Sequence, residues 1–312
     1  MTDLANRRII VTGGGGFLGA SIVRNLHQRD IDQIYVPRSR DYDLTRQRDV
    51  ERLFAEHPAD VVVHAAAVVG GIGANQANPG TFYYQNLVMG AEMIEHARRT
   101  GVGKFVAIGT ICSYPKHAPI PFQETDLWNG FPEETNAPYG IAKKAMAVQL
   151  AAYREEFGFS GIFLMPVNLY GPGDNFDLER SHVIPAMIRK FDDARESGER
   201  EVILWGDGTP TREFLYVEDA AEAIVRAVET YDAPEPMNIG SGLEIPIREL
   251  AETIRSLTGF EGEIRWDSSK PNGQPRRRVD TSRAQRLLGF VATTTLDEGL
   301  ARTIEWYRVT KR

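Results

Sequence analysis

The chain has 312 residues, a length that suits one large domain or two moderate ones. Hydrophobic residues make up 42%, enough for a sizeable core, and the net charge of -7 argues against a general nucleic-acid or membrane-surface role. A single cysteine, Cys112, excludes an internal disulfide and fits a reducing cytoplasm; the polar N-terminus does not read as a signal peptide, and no apolar run approaches transmembrane length.

Residues 8–12 read as a buried parallel strand that runs straight into a glycine turn. A helix follows, with Ile22, Val23 and Leu26 on its apolar face. Gly13, Gly16 and Gly19 thus lie at a Gly-x-x-Gly-x-x-Gly spacing between strand and helix, with Phe17 and Leu18 inside the turn. Glycines there permit a tight turn and close approach of a pyrophosphate to the helix N-terminus. The rhythm continues through a strand at 33–36, a helix around 50–54 and a strand at 61–64 ending in Ala65 and Ala66. A helix at 82–98 and a strand at 104–108 follow. Alternation of this kind predicts an α/β fold with a doubly wound parallel (Rossmann) sheet, and ligands outside the carboxyl ends of its strands. After the second strand come Arg38 and Arg40, with no carboxylate until Asp41. Arginines at that place favour NADP over NAD, although solvated loop charges would look the same.

The fourth strand ends in Thr110 and Cys112, at the nicotinamide end of the expected crevice. Asn136 is placed to cap a helix, and Pro138 suits its first turn. Tyr139 and Lys143 stand one turn apart on that helix. A lysine ammonium beside a phenol favours the phenolate, which would let Tyr139 exchange a proton near neutral pH. Taken alone, the same spacing fits an ordinary amphipathic helix. Cys112 alone fits a small buried hydrophobe, and His182 a surface-loop histidine.

Beyond Tyr170 the rhythm breaks. A turn-rich loop spans 171–175, a helix is predicted at 183–197 and a strand at 201–205. Residues 214–217 lead into a capped helix at 218–225 that returns to the first unit, and 237–240 read as its last strand. A helix at 247–257, a short strand at 263–265 and a helix at 296–308 complete the chain. The predicted division is 1–170 plus 214–240 for the cofactor unit, and 171–213 plus 241–312 for a smaller, discontinuous α/β substrate unit.

The glycine spacing, the hydroxyl of Thr110 and Tyr139-x-x-x-Lys143 together resemble the extended short-chain dehydrogenase/reductase superfamily. Val69-Gly70-Gly71-Ile72, Cys112-Ser113-Tyr114-Pro115-Lys116, Asn168-Leu169-Tyr170-Gly171-Pro172, Ser181-His182-Val183-Ile184-Pro185, the stretch from Trp205 to Phe214 and that from Lys270 to Arg276 are similar to GDP-L-fucose synthases over nearly the whole chain. That resemblance implies NADPH-dependent conversion of GDP-4-keto-6-deoxy-mannose to GDP-L-fucose, by epimerisation at C3 and C5 and reduction at C4. It implies Cys112 as base and His182 as acid, and Thr110, Tyr139 and Lys143 around the C4 oxygen and nicotinamide ribose. It implies NADP(H) contacts from Gly13, Gly16, Phe17, Leu18, Gly19, Arg38, Arg40, Ala65, Ala66, Asn86, Tyr139, Lys143 and His182. Substrate contacts are implied for Asn168, Lys190, Trp205, Arg212 and Lys270, with core packing an alternative for Trp205. No metal is implied. Of Arg276, Arg277 and Arg278, at most one is expected in the site, since a charge run is usually a solvated face. A cytoplasmic homodimer through the helices at 82–98 and 138–156 is implied as well. Threonine at 110 replaces the family's common serine, Ile111 replaces a second hydroxyl, and Gly15 stands where some members carry arginine. Sister enzymes that only epimerise or only reduce another nucleotide-4-keto sugar remain alternatives; a non-catalytic NADP-binding regulator is a remote one.

Overall fold

The computed structural model describes residues 4–270 and 272–311; Pro271, inside the segment that begins at Lys270, lies outside the described residues. β1 (Ile9–Thr12) is a run of β-branched side chains, all buried, as a central parallel strand requires. Next come α1 (Phe17–His27), β2 (Ile34–Tyr35), α2 (Gln47–Glu56), β3 (Val61–His64), α3 (Ile72–Ala77), α4 (Pro79–Arg99), β4 (Lys104–Ile108), α5 (Ala137–Phe157) and β5 (Gly161–Pro166). The second half holds β6 (Asn168–Tyr170), α6 (Val183–Ser197), β7 (Glu201–Trp205), β8 (Thr211–Tyr216), α7 (Val217–Thr230), β9 (Met237–Ile239), β10 (Glu244–Pro246), α8 (Ile247–Thr258), β11 (Glu263–Asp267), β12 (Arg276–Arg277), α9 (Ser282–Leu288) and α10 (Leu296–Thr310).

Six strands form the main sheet in the order β2-β1-β3-β4-β5-β9, and every neighbouring pair is parallel. The chain reverses direction across the sheet between β1 and β3, the topological switch point where such sheets open a crevice. The last register pair there is Thr12 with His64. Thr12 Oγ1 accepts from the Ala66 amide at 3.3 Å and lies 2.8 Å from His64 Nδ1. Burial, seconded by the charge of Lys143, lowers the His64 pKa to about 3, so the ring stays neutral and pins the crevice floor.

α7 packs on α1, where Arg24 meets Glu218 at 2.5 Å and Arg29 bridges Glu222 at 2.7 Å and Glu229 at 2.6 Å. The expected side-chain cap is absent: Tyr216 occupies the N-cap, and Glu218 and Asp219 in the first turn face the positive helix end instead. Asn136 likewise sits at the N-cap of α5 without capping it, because its amide is engaged elsewhere.

β8 runs unbroken through residues 213 and 214. Its first half pairs with β10 and β12, and its second half with β6. β7 and β11 form a separate parallel pair. A second core gathers Tyr170, Ile188, Phe191, Leu250, Ile254 and Leu300. Val279, Ala284, Leu288 and Phe290, from the stretch expected in the substrate unit, are buried in the first core. Among the described residues no helix is long and apolar enough to cross a membrane.

Candidate active site

One continuous cavity of about 1200 Å3 runs from the glycine turn to α6 and β8. At its cofactor end the backbone leaves no space for side chains. Gly13 has φ +70°, and a Cβ there would lie 2.8 Å from the Ala66 nitrogen; a Cβ on Gly19 would collide with the Gly13 carbonyl oxygen. Gly13, Gly16, Phe17, Leu18, Gly19, Ala65 and Ala66 all line this end. The cradle fits a dinucleotide pyrophosphate at the N-terminus of α1.

Arg38 and Arg40 separate. Arg38 lines the cavity, and its guanidinium lies where a side chain on Gly15 would stand. Arg40 is outside the cavity lining, largely exposed, and pairs with Asp41 at 3.4 Å. Asn86 is also off the lining. Its Oδ1 accepts from the Val68 amide at 3.0 Å, and its Nδ2 donates to the Val68 and Phe82 carbonyls at 2.8 and 2.7 Å. It shapes the cavity wall by holding Val68, and both of its amide hydrogens are committed to backbone carbonyls.

The chemical end is built by β4 and α5. Thr110 caps the short 3-10 turn Ile111–Ser113, its Oγ1 accepting from the Cys112 amide at 3.2 Å. Because that oxygen accepts, the Thr110 O–H remains free to donate into the cavity. Ser113 Oγ donates to the Gly140 carbonyl at 2.9 Å, and a Cβ on Gly140 would lie 2.5 Å from the Cys112 carbonyl oxygen. The turn carrying Cys112 therefore packs directly on the helix carrying Tyr139 and Lys143. Gly140→Ala must push the two apart. The fold should persist, with turnover reduced roughly 100-fold by misplacement of the reacting groups; steady-state rates beside a melting curve check this.

The expected lowering of the Tyr139 pKa by Lys143 is not what the structure shows. Burial raises the Tyr139 pKa, and the neighbouring Cys112 raises it further. Burial also lowers the Lys143 pKa to about 7, so its charge is itself weakened. Tyr139 is therefore held as a phenol, a proton donor. His182 occupies the N-cap of α6 and opens to the cavity; enclosure by the surrounding protein lowers its pKa and favours the neutral ring.

The substrate end is lined by Asn168, Lys190, Trp205 and Arg212. Asn168 Nδ2 donates to the Glu213 carbonyl at 3.0 Å, Lys190 Nζ to the Ile203 carbonyl at 2.9 Å, and Arg212 Nη1 to the Thr211 carbonyl at 2.7 Å. Each keeps further donors for a ligand. Trp205 is 56% exposed, which sets aside its reading as a core residue. Lys270 is outside the lining and rests over the Trp205 ring, 5.6 Å from its centroid. Glu133, Gln274 and Arg277 also line the cavity. Gln274 lies in the family-like stretch from Lys270 to Arg276, and Arg277 in the run Arg276–Arg278, of which at most one member is expected in the site, but neither signal says which side chain turns inward; Glu133 has no sequence signal.

The chain is similar to known proteins over nearly its whole length. Residues 9–240 match the model of the NAD dependent epimerase/dehydratase family. The sequence is 43% identical to GDP-L-fucose synthase 1 of Arabidopsis thaliana over 300 residues, 96% of this chain and 93% of that one. It is 40% identical to GDP-L-fucose synthase of Escherichia coli over 314 residues, 97% of each chain. The chain belongs to the GDP-L-fucose synthase family. A solved GDP-L-fucose synthetase from Naegleria fowleri bound to NADP, 26% identical, superposes with a TM-score of 0.92 over 100% of this chain and 97% of that chain. Within the GDP-L-fucose synthase family this chain's departures have local explanations. Arg38 occupies the space above Gly15. Ile111, 2% exposed, packs into the main core while one side of it lines the cavity.

Proposed function

We propose that this chain converts GDP-4-keto-6-deoxy-D-mannose to GDP-L-fucose, epimerising C3 and C5 and reducing C4 with NADPH. The observation that carries the reading is the convergence of Thr110, Cys112, Tyr139 and His182 in one cavity, between a dinucleotide cradle and a basic, aromatic far end. Removing a proton from C3 or C5 puts negative charge on the C4 oxygen. The free O–H of Thr110 and the phenol of Tyr139 meet that charge as preorganised donors. Cys112 takes the proton on one face, and His182 returns one on the other. NADPH, when bound, supplies the hydride for C4. Tyr139 gives the C4 oxygen its proton, and Lys143 holds the nicotinamide ribose. Lys190 and Arg212 pair with the diphosphate, Trp205 offers its face to the base or sugar, and Asn168 faces the sugar.

Arg38 is assigned to the 2′-phosphate, with Gly15 leaving it room. Arg38→Ala should raise the KM for NADPH about tenfold and leave that for NADH nearly unchanged, as loss of one charged hydrogen-bonding partner implies. Initial rates with the two cofactors check this. A cytoplasmic homodimer joined through α4 and α5 goes with the same reading. Exposed Tyr83, Tyr84 and Val148 on these helices supply its apolar face, and sedimentation giving only monomer mass would remove it.

The test of the whole is incubation with GDP-4-keto-6-deoxy-D-mannose and NADPH in deuterated water. NADPH oxidation with deuterium at both C3 and C5 supports the two-part reaction. Oxidation without deuterium indicates a plain C4 reductase, and deuterium without oxidation an epimerase. The absence of both oxidation and deuterium uptake rejects this sugar as the substrate.

A further inference from the structure

We propose that Arg277 is the residue that holds Cys112 as a thiolate, with Gln274 and Glu133 positioning it. The proposal deepens the reading of Cys112 as the proton-abstracting base and rests on it. Arg277 is 8% exposed, and its Nη1 lies 3.4 Å from Cys112 Sγ, within reach of a hydrogen bond to sulfur. A buried guanidinium is always charged, and it donates far better to a thiolate than to a neutral thiol.

The side chain is fixed from three directions. Its Nε donates to Gln274 Oε1 at 2.5 Å, and Gln274 Nε2 donates to the Lys116 carbonyl at 2.6 Å, four residues beyond Cys112. Arg277 and Cys112 are thus tied to the same loop from both sides. Glu133 Oε2 stands 3.9 Å from Arg277 Nη2. That carboxylate is already engaged by the Thr135 amide at 3.2 Å, Thr135 Oγ1 at 2.6 Å and Asn136 Nδ2 at 2.7 Å. Glu133 therefore orients the guanidinium without neutralising it at close range.

The backbone adds a second cation. β12 lies in register with β8 so that Arg277 is the cross-strand partner of Arg212. Burial, then the charge of Arg277, lowers the Arg212 pKa to about 10, and Cys112, Glu244 and Glu133 act in the opposite sense. Two neighbouring cations favour an anion beside them, and a thiolate at Cys112, in contact with Arg277, is one.

Arg277 neither gives nor takes a proton in this scheme. The electrons of the broken C–H bond pass to the enolate. Cys112 Sγ takes the proton and becomes a thiol, and His182, in its protonated form, delivers another proton to the opposite face and is left neutral. The thiol then gives its proton to solvent and His182 takes one up before the next turnover.

The test is alkylation of the chain's single cysteine by iodoacetamide, followed by mass spectrometry, in the full-length protein. Arg277→Met should slow alkylation at neutral pH by about tenfold or more and leave the rate at pH 10 near wild type, because only the thiolate reacts. Arg277→Lys should restore most of the neutral rate. Deuterium uptake at C3 and C5 should fall with the alkylation rate, while the Kd for GDP stays within about twofold. Unchanged alkylation at neutral pH with weakened GDP binding would make Arg277 a nucleotide contact and overturn the proposal. Equal slowing at both pH values would mean a merely occluded sulfur, and would overturn it too. If Arg277→Met does not fold, Gln274→Leu decides: it removes the acceptor that fixes Arg277 Nε and should slow alkylation at neutral pH while leaving the rate at pH 10 near wild type, and an unchanged neutral rate rejects the proposal. Alkylation that behaves as expected, in a wild-type protein that takes up no deuterium, supports the hold of Arg277 on the sulfur and sinks only the base role of Cys112.

Discussion

Tyr139→Phe lowers the rate of NADPH oxidation by roughly 100- to 10,000-fold, the range for loss of a positioned general acid. The ring is buried, so phenylalanine keeps its packing, and the melting temperature should move little. On the proposed mechanism two contributions disappear with the hydroxyl: the donor that meets charge on the C4 oxygen, and the proton that completes reduction. The KM for the sugar nucleotide should change far less than kcat, since the lost contact matters most in the transition state. The pH dependence has a definite sense. Burial and Cys112 both raise the Tyr139 pKa, so the donor stays protonated across the neutral range. An alkaline fall in rate must then come from another group. Lys143, lowered to about 7 by burial, is the first to examine. Steady-state kinetics of the Tyr139→Phe and Lys143→Met variants across pH separate the two.

Asp192→Ala lowers the stability of the smaller core by about 3 kcal/mol, as removal of one partner from a buried ion cluster does. Asp192 is fully buried, and it accepts from Lys311 at 2.5 Å, Arg308 at 2.7 Å and Arg195 at 3.1 Å. These cations are partly exposed, so solvent screening holds the loss toward the lower end of the range for buried pairs. Burial by itself disfavours the charged carboxylate, but the hydrogen bonds from Lys311 and Arg308 outweigh it and hold the pKa below the ordinary value of 3.8. With the folded pKa below the unfolded one, the stabilisation is complete above the ordinary carboxylate range and is lost as pH falls through the folded value. Urea unfolding at pH 7 should show the whole effect. As pH falls through the folded value, wild type and variant should converge. The loss should also be read as a separate loosening of α10 from α6, since Arg308 and Lys311 follow or end α10 while Asp192 lies on α6.

How much of this was legible depended on whether a signal was local. The strands at 61–64 and 104–108 and the helix at 183–197 stand where the sequence places them, because burial on both faces of a parallel strand, or on one face of a helix, writes itself into adjacent residues. The glycine turn was legible for the same reason. β12 was not. Two arginines carry no apolar pattern, and their strand exists only through pairing with Thr211 and Arg212. The same register decides which arginine reaches Cys112. Asn136 shows the converse failure. Its type fits a cap, but Nδ2 is drawn to Glu133 at 2.7 Å and Oδ1 accepts from Asn75 at 3.1 Å, partners that no local rule supplies. Tyr139 was read from spacing to Lys143 alone. Burial, which needs the whole fold, reverses the inferred shift.

The place of β9 bears on how the protein can be made. Its partner β5 is complete at Pro166, but Met237–Ile239 is translated only after the whole of β6, α6, β7, β8 and α7. During that interval on the ribosome Leu164–Pro166 offers unpaired backbone donors and acceptors along an apolar strand, and α1 lacks its cover of α7. An exposed edge of that kind invites pairing with another chain. Expression that pauses or terminates between these points should therefore yield insoluble fragments rather than a stable half. Cutting the gene at the end of β5 does not release an independent nucleotide-binding module.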